Sequence, residues 1–184
     1  MKGAQRAALV AALVGDLRSA GGWAGETHVQ KTVFFLQELL RVPMGFAFQL
    51  YKYGPFSFDL SEQLGDMRGL GQLKLEPQRP PYGPKFAVAD GAAQLETRFP
   101  KTRSKYRPQL DFIVEQLSSA GVGQLERLAT ALLVESELPN ASLDARVSSL
   151  CTYKPHIDTD QARDAFAEVD AMRQQAKHLS LIAE

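Results

Sequence analysis

Tyr51 and Tyr53 stand two residues apart, directly ahead of Gly54, Pro55 and Phe56, and form the most informative local cluster in the chain. Side chains two apart on a strand share one face. The five residues therefore describe an exposed aromatic platform for a protein or nucleotide partner. Proline fixes its own φ and pushes the residue before it towards extended conformations, so the Gly54–Pro55 turn is rigid. The competing reading is structural: the turn packs one helix on another, with the tyrosine hydroxyls reaching backbone groups.

A second cluster is electrostatic. Arg98, Lys101, Arg103, Lys105 and Arg107 place five cations in ten residues without an acid, interleaved with Phe99 and Tyr106. Such a strip can contact phosphates and stack a base, and Lys74, Arg79 and Lys85 broaden it. The alternatives are a solvated linker, or a surface that pairs with acidic residues elsewhere in the chain.

Little else has the spacing of chemistry. His28, His156 and His178 lie far apart, without the pattern of a metal site or a triad. Ser118-Ser119 and Ser148-Ser149 lack the context of a nucleophile. The single cysteine, Cys151, excludes a disulfide framework and a cysteine zinc site, and its place beside Val147 and Leu150 predicts a small buried hydrophobe. Gln30 and Lys31 are expected on the polar side of a buried helix, with Lys31 reaching solvent or an acid such as Glu62. No glycine-rich dinucleotide loop, P-loop or HExxH is present. The expectation is a protein that is not an enzyme and takes no cofactor or metal. An enzyme would need a cleft assembling Tyr53, Lys31 and a carboxylate.

The elements that must position these residues are mostly helical. The chain has 184 residues, 45% of them hydrophobic and 23% charged, which is ordinary globular composition. Leu9, Leu13 and Leu17 recur at helical spacing, so the apolar start reads as an amphipathic helix over about 4–19 rather than a signal peptide. A helix over about 27–41 is apolar around most of its circumference, as a central helix is. Residues 46–53 alternate as a strand, and Gly54-Pro55 ends it. Ser57 caps a helix to about Leu70, with Leu60, Leu64, Met67 and Leu70 on one stripe. Residues 71–75 and 85–89 form a hairpin around a proline-rich loop. Helices near 91–98, 106–120, 123–136, 142–152 and 159–182 complete the chain.

This order predicts a mostly α fold with a small β hairpin (α+β): a winged-helix-like domain over 1–98, and a helical part over 99–184 packed on it, the two together amounting to one domain or two. As a DNA reader the third helix is poorly equipped, since Asp59, Glu62 and Asp66 face Gln63 and Arg68 as the only readers. Charge balances overall at 21 basic and 21 acidic residues, but residues 76–107 carry +4 and residues 108–184 carry −6. No stretch approaches the roughly 20 apolar residues of a membrane span. The expectation is a cytoplasmic protein with no membrane partner.

Three segments carry a resemblance. They are Thr27-His28-Val29-Gln30-Lys31-Thr32-Val33-Phe34-Phe35-Leu36-Gln37, the run from Tyr51 through Tyr53-Gly54-Pro55-Phe56-Ser57 to Leu60 with Leu70-Gly71-Gln72-Leu73 beyond it, and Tyr82 to Gly91. Together with Tyr153-Lys154-Pro155-His156-Ile157 they make the chain resemble, over about 8–180, the YwgA-like group of uncharacterised prokaryotic proteins. Over about 10–75 it is more distantly similar to the Panacea, or SocA/GepA-type, antitoxin domain. Val29 stands where the family usually has leucine. What the resemblance implies is a toxin–antitoxin or phage-defence setting. The function expected is thus a non-catalytic protein-interaction or regulatory module working through the aromatic turn or the acidic C-terminal helices. The rival is a DNA- or RNA-binding winged-helix regulator using the hairpin and the basic strip, strengthened if the C-terminal helices form a homodimer that presents two such hairpins.

Overall fold

In a computed structural model, described for residue 1 and residues 3–182, the chain is a mostly helical α+β fold. Helix α1 (Gly3–Ser19) and helix α2 (Glu26–Glu38) are followed by a first hairpin, β1 (Gln49–Tyr51) with β2 (Gly54–Phe56). Helix α3 (Phe58–Gly69) leads to a second hairpin, β3 (Leu73–Glu76) with β4 (Lys85–Val88). Then come α4 (Ala92–Arg98), α5 (Pro100–Lys105), α6 (Arg107–Leu117), α7 (Val122–Glu137), α8 (Leu143–Tyr153) and α9 (Thr159–His178).

The predicted order of helices and the proline-looped hairpin is present, with two corrections. The stretch expected as one strand over 46–53 is strand only from Gln49, and Gly54-Pro55 does not end it but belongs to its partner strand. Gly54 takes φ +82°, which lets the chain reverse within the two-residue turn Lys52-Tyr53. Among the described residues there are therefore two small hairpins where one was expected. The basic strip, in turn, is not a linker, because Pro100 starts α5 in the middle of it.

Two helices form the centre. Helix α2 buries every residue from His28 to Leu36, and α7 buries Leu125, Glu126 and every residue from Leu128 to Val134. They pack on each other; α6 closes one side of α2, and α8 and α9 cover α7. Helix α1 runs behind them against α4, α5, α6 and β4. One hydrophobic cluster extends from Ala7 to Ala176, across the boundary expected near residue 98. Helix α9 spends its apolar face (Ala162, Phe166, Val169, Met172) inside this core, which leaves a polar outer face and gives the expected C-terminal homodimer no support. Among the described residues, no helix is long and apolar enough to cross a membrane.

Candidate functional site

The aromatic turn is positioned by polar side chains buried beneath it. Gln30 and Lys31 do not lie on a polar side of α2, for here α2 has none. Gln30 reads the backbone of Ser57 in both directions, its Nε2 donating to the carbonyl at 2.9 Å and its Oε1 accepting from the amide at 3.0 Å. Ser57 then caps α3, as expected, by accepting from the Leu60 amide. Lys31, 1% exposed, neither reaches solvent nor meets Glu62; its Nζ donates to the Pro55 carbonyl at 2.7 Å.

A second lysine reaches the same hairpin from the far end of the chain. Lys154, just past α8, donates from Nζ to the Lys52 carbonyl at 2.6 Å and the Tyr51 carbonyl at 3.2 Å. Its ammonium stands 2.7 Å from Glu126 Oε1 on α7, an ion pair rather than an aligned hydrogen bond, since that oxygen otherwise has no partner. Glu126 Oε2 lies 3.8 Å from the exposed His156. Lys154 is thus paired with a buried carboxylate that also attracts Lys31 at longer range, and between them the two lysines hold three carbonyls of the turn.

Burial pushes Lys31 down to about 8, against the attraction of Glu126 and with the repulsion of Lys154. The consequence for stability has a definite sign. Between pH 8 and 10.5 the unfolded chain binds this proton and the folded one does not, so folding becomes more favourable as pH rises. The expected result is that the wild type gains about 3 kcal/mol on Lys31→Met across that window, read from paired denaturant titrations. A difference that stays flat with pH would show Lys31 to be ordinarily solvated.

The five platform residues separate. Tyr51 is 54% exposed, and so is Phe58, which was not foreseen. These two and the half-buried Phe56 form a triangle of rings with centroids 5.1–5.6 Å apart. Gly54 and Pro55 are buried and cannot touch a partner. Tyr53 does not share a face with Tyr51: it sits in the turn and lines a neighbouring cleft.

That cleft, about 810 Å³, opens between the starts of α2 and α7, helix α3 and the loop of the second hairpin. Its wall is mostly apolar, with Trp23 and Tyr82 tilted on each other at 5.1 Å and Lys85 Nζ 3.9 Å above the indole ring. Gly25 is needed there, since a Cβ would come within 2.8 Å of Trp23. The polar wall includes Glu26, His28, Ser61 and Arg68, and Ser61 Oγ donates to Glu26 Oε1 at 2.6 Å. Lys31 does not line the cleft, so Tyr53 and a carboxylate meet there without the lysine an enzyme reading required. Among the described residues no group of acids, histidines and cysteine is placed to hold a metal ion.

The basic strip is largely engaged within the molecule. Arg103 bridges Asp16 (3.2 Å) and Glu96 (2.8 Å), while Arg107 bridges Asp16 (2.9 Å) and Asp111. The hydrogen bond to Asp111 is the main cause holding Arg107 above its ordinary value. Arg98 lies over Phe99, Lys105 over Tyr106 and Lys85 over Trp23. Lys74 approaches Glu76 at 4.0 Å, and Arg79 and Lys101 are exposed. Cys151 is half-buried rather than buried.

Fold and site define a mostly helical α+β protein that displays an aromatic hairpin beside a cleft. No family model matches the chain, and no curated protein matches it.

Proposed function

We propose that this protein is a non-catalytic interaction module that docks a protein partner on the Tyr51–Phe56–Phe58 platform. The observation that carries the reading is three rings in mutual contact, two of them more than half exposed: Tyr51 and Phe56 on a hairpin whose backbone is fixed from below, and Phe58 at the start of α3. Large aromatic side chains left in water on a rigid support are what protein interfaces use as anchors. The resemblance to the YwgA-like group and the Panacea domain supports a partner from a toxin–antitoxin or phage-defence setting in a prokaryotic cytoplasm.

The test is the variant Tyr51→Ala/Phe58→Ala. Both side chains are exposed, so its melting temperature should match the wild type. A partner identified with the wild type should bind it at least about tenfold more weakly. Equal binding by the folded double variant would refute the platform.

The rival nucleic-acid reading keeps Arg79, Lys101, Lys74, Arg98 and Lys105 as candidates, the first two being exposed cations of the hairpin loop and α5. It loses Arg103, Arg107 and Lys85 to internal partners. A DNA titration across a salt series separates the two readings, since phosphate binding weakens steeply with salt.

A further inference from the structure

Helix α3 spends its buried stripe, Leu60, Leu64 and Met67, on α2 and β3. Residues three, four, seven and eight apart share a helix face. The face opposite that stripe therefore carries Phe58, Glu62, Gly65, Asp66 and Gly69, and all five are exposed. Phe58 is also a ring of the aromatic platform, so this face continues the platform along the helix for about 16 Å. Leu70, 68% exposed, ends it just past the last turn.

Two observations say what fits there. The first is charge. Asp59, Glu62 and Asp66 are exposed carboxylates with no cation against them among the described residues, whereas Asp16, Glu76 and Glu126 each hold one. Glu62 and Asp66, four apart, repel each other. A cationic partner relieves that repulsion and a phosphate adds to it. The second observation is in the backbone. A Cβ at Gly65 or Gly69 would meet nothing within 4 Å, and neither residue takes a positive φ. The fold thus has no need of glycine at either position, and glycine is the weakest helix former after proline. What two exposed glycines four apart do supply is a smooth surface on which a second helix comes close.

We propose that the outward face of α3, continuous with the aromatic platform, docks a basic amphipathic helix of a partner protein. The inference rests on the platform reading and adds the partner's chemistry to it. An apolar side chain of the partner packs on Tyr51, Phe56 and Phe58. Arginines one and two turns further on pair with Glu62 and Asp66, and the two backbones come closest over Gly65 and Gly69. An arginine placed beside Phe58 gains the face of the ring as well as the Glu62 carboxylate. Nucleic acid and an anionic membrane surface present phosphates, which the same face repels.

The experiment titrates the full chain against a dye-labelled amphipathic helical peptide of about 18 residues, followed by fluorescence anisotropy. The peptide carries leucine, arginine, arginine and leucine at four-residue intervals on an alanine–glutamine background. Its counterpart has glutamates in place of the arginines. The expected result is saturable binding of the arginine peptide that weakens as salt rises, with the glutamate peptide at least about tenfold weaker. Glu62→Gln/Asp66→Asn should match the wild type in melting temperature and bind the arginine peptide at least about tenfold more weakly. Gly65→Ala/Gly69→Ala should keep or raise the melting temperature while weakening the same peptide about tenfold. Absence of saturable binding at millimolar peptide, equal binding of the glutamate peptide, or undiminished binding by either folded variant would overturn the proposal. So would a dimer of the chain alone, seen by light scattering, that Glu62→Gln/Asp66→Asn dissociates, because a second copy would then cover the face. If the peptide fails while Tyr51→Ala/Phe58→Ala still weakens an identified partner, the platform stands and the basic helix alone is refuted.

Discussion

Glu126→Gln is expected to lower stability by about 3–5 kcal/mol, the range for removing one partner of a buried ion pair. For a chain of this size that is a fall in melting temperature of about 10 °C. Glutamine preserves the shape and most of the hydrogen-bonding capacity of the side chain, so what is lost is the charge. Lys154 would keep its two carbonyls and lose its counter-ion, at a site 6% exposed. Lys31 would lose the attraction that opposes its desolvation, and would shed its proton at lower pH still. The comparison that isolates the charge is Glu126→Gln/Lys154→Met. Removing the stranded ammonium should restore part of the loss, because most of the cost of breaking a buried pair is the charge left without its counter-ion. Full restoration is not expected, since Lys154 also anchors the turn. A cost for Glu126→Gln below about 1 kcal/mol, typical of a surface pair, would sink this account.

Gly54→Ala should destabilise by about 3 kcal/mol, through two separable causes. At φ +82° an alanine is strained wherever it sits, which costs roughly 1–2 kcal/mol. The added Cβ would also lie 2.9 Å from Thr130 Oγ1 and 3.4 Å from the Glu126 carbonyl, close enough to push the hairpin off α7. Overpacking of that kind costs typically 1–3 kcal/mol. Thr130 is fixed by donating to that same carbonyl at 2.7 Å, so it cannot swing aside freely. Gly54→Ala/Thr130→Ala should recover the packing part relative to Thr130→Ala alone and leave the backbone part. Denaturant unfolding of the four proteins in the cycle measures both. If the double variant is no better than the sum of the singles, the close approach to Thr130 is not what constrains this position.

Helices were legible in the sequence where the apolar stripe was clean and a cap marked the start. Leu60, Leu64 and Met67 behind Ser57 became the buried stripe of α3, while Leu70, read on the same stripe, lies exposed just past its end, and the proline-rich loop flagged the second hairpin. The first hairpin was misread because Gly54-Pro55 is a breaker by local rules. Proline tolerates this edge strand, where its missing amide costs no ladder bond and its carbonyl is taken by Lys31. Phe58 was missed as a ring of the platform because it begins a helix, two residues past Phe56. The polar cluster could not be read locally at all, since Lys31, Glu126 and Lys154 are nearly a hundred residues apart at the first step. A signal was nonetheless present. Lys31 stands among Val29, Val33, Phe34 and Phe35 in α2, and Glu126 among Leu125, Leu128 and Ala129 in α7, and a charge set in an apolar stretch needs a partner. The basic strip misled in the opposite sense, because sequence proximity of cations says nothing about Asp16, which takes two of them from 87 and 91 residues away.

The lysines that secure the aromatic turn grip carbonyl oxygens and no side chain of residues 51, 52 or 55. Every amino acid brings the same carbonyl, so this attachment is blind to what the outward-facing positions carry. If the platform docks a partner as proposed, exchanging Tyr51, Lys52 or Phe58 would change which partner fits, while the support beneath stays as it is. Recognition and anchorage would then evolve on separate schedules, fast at the tip and slow at Lys31, Glu126 and Lys154.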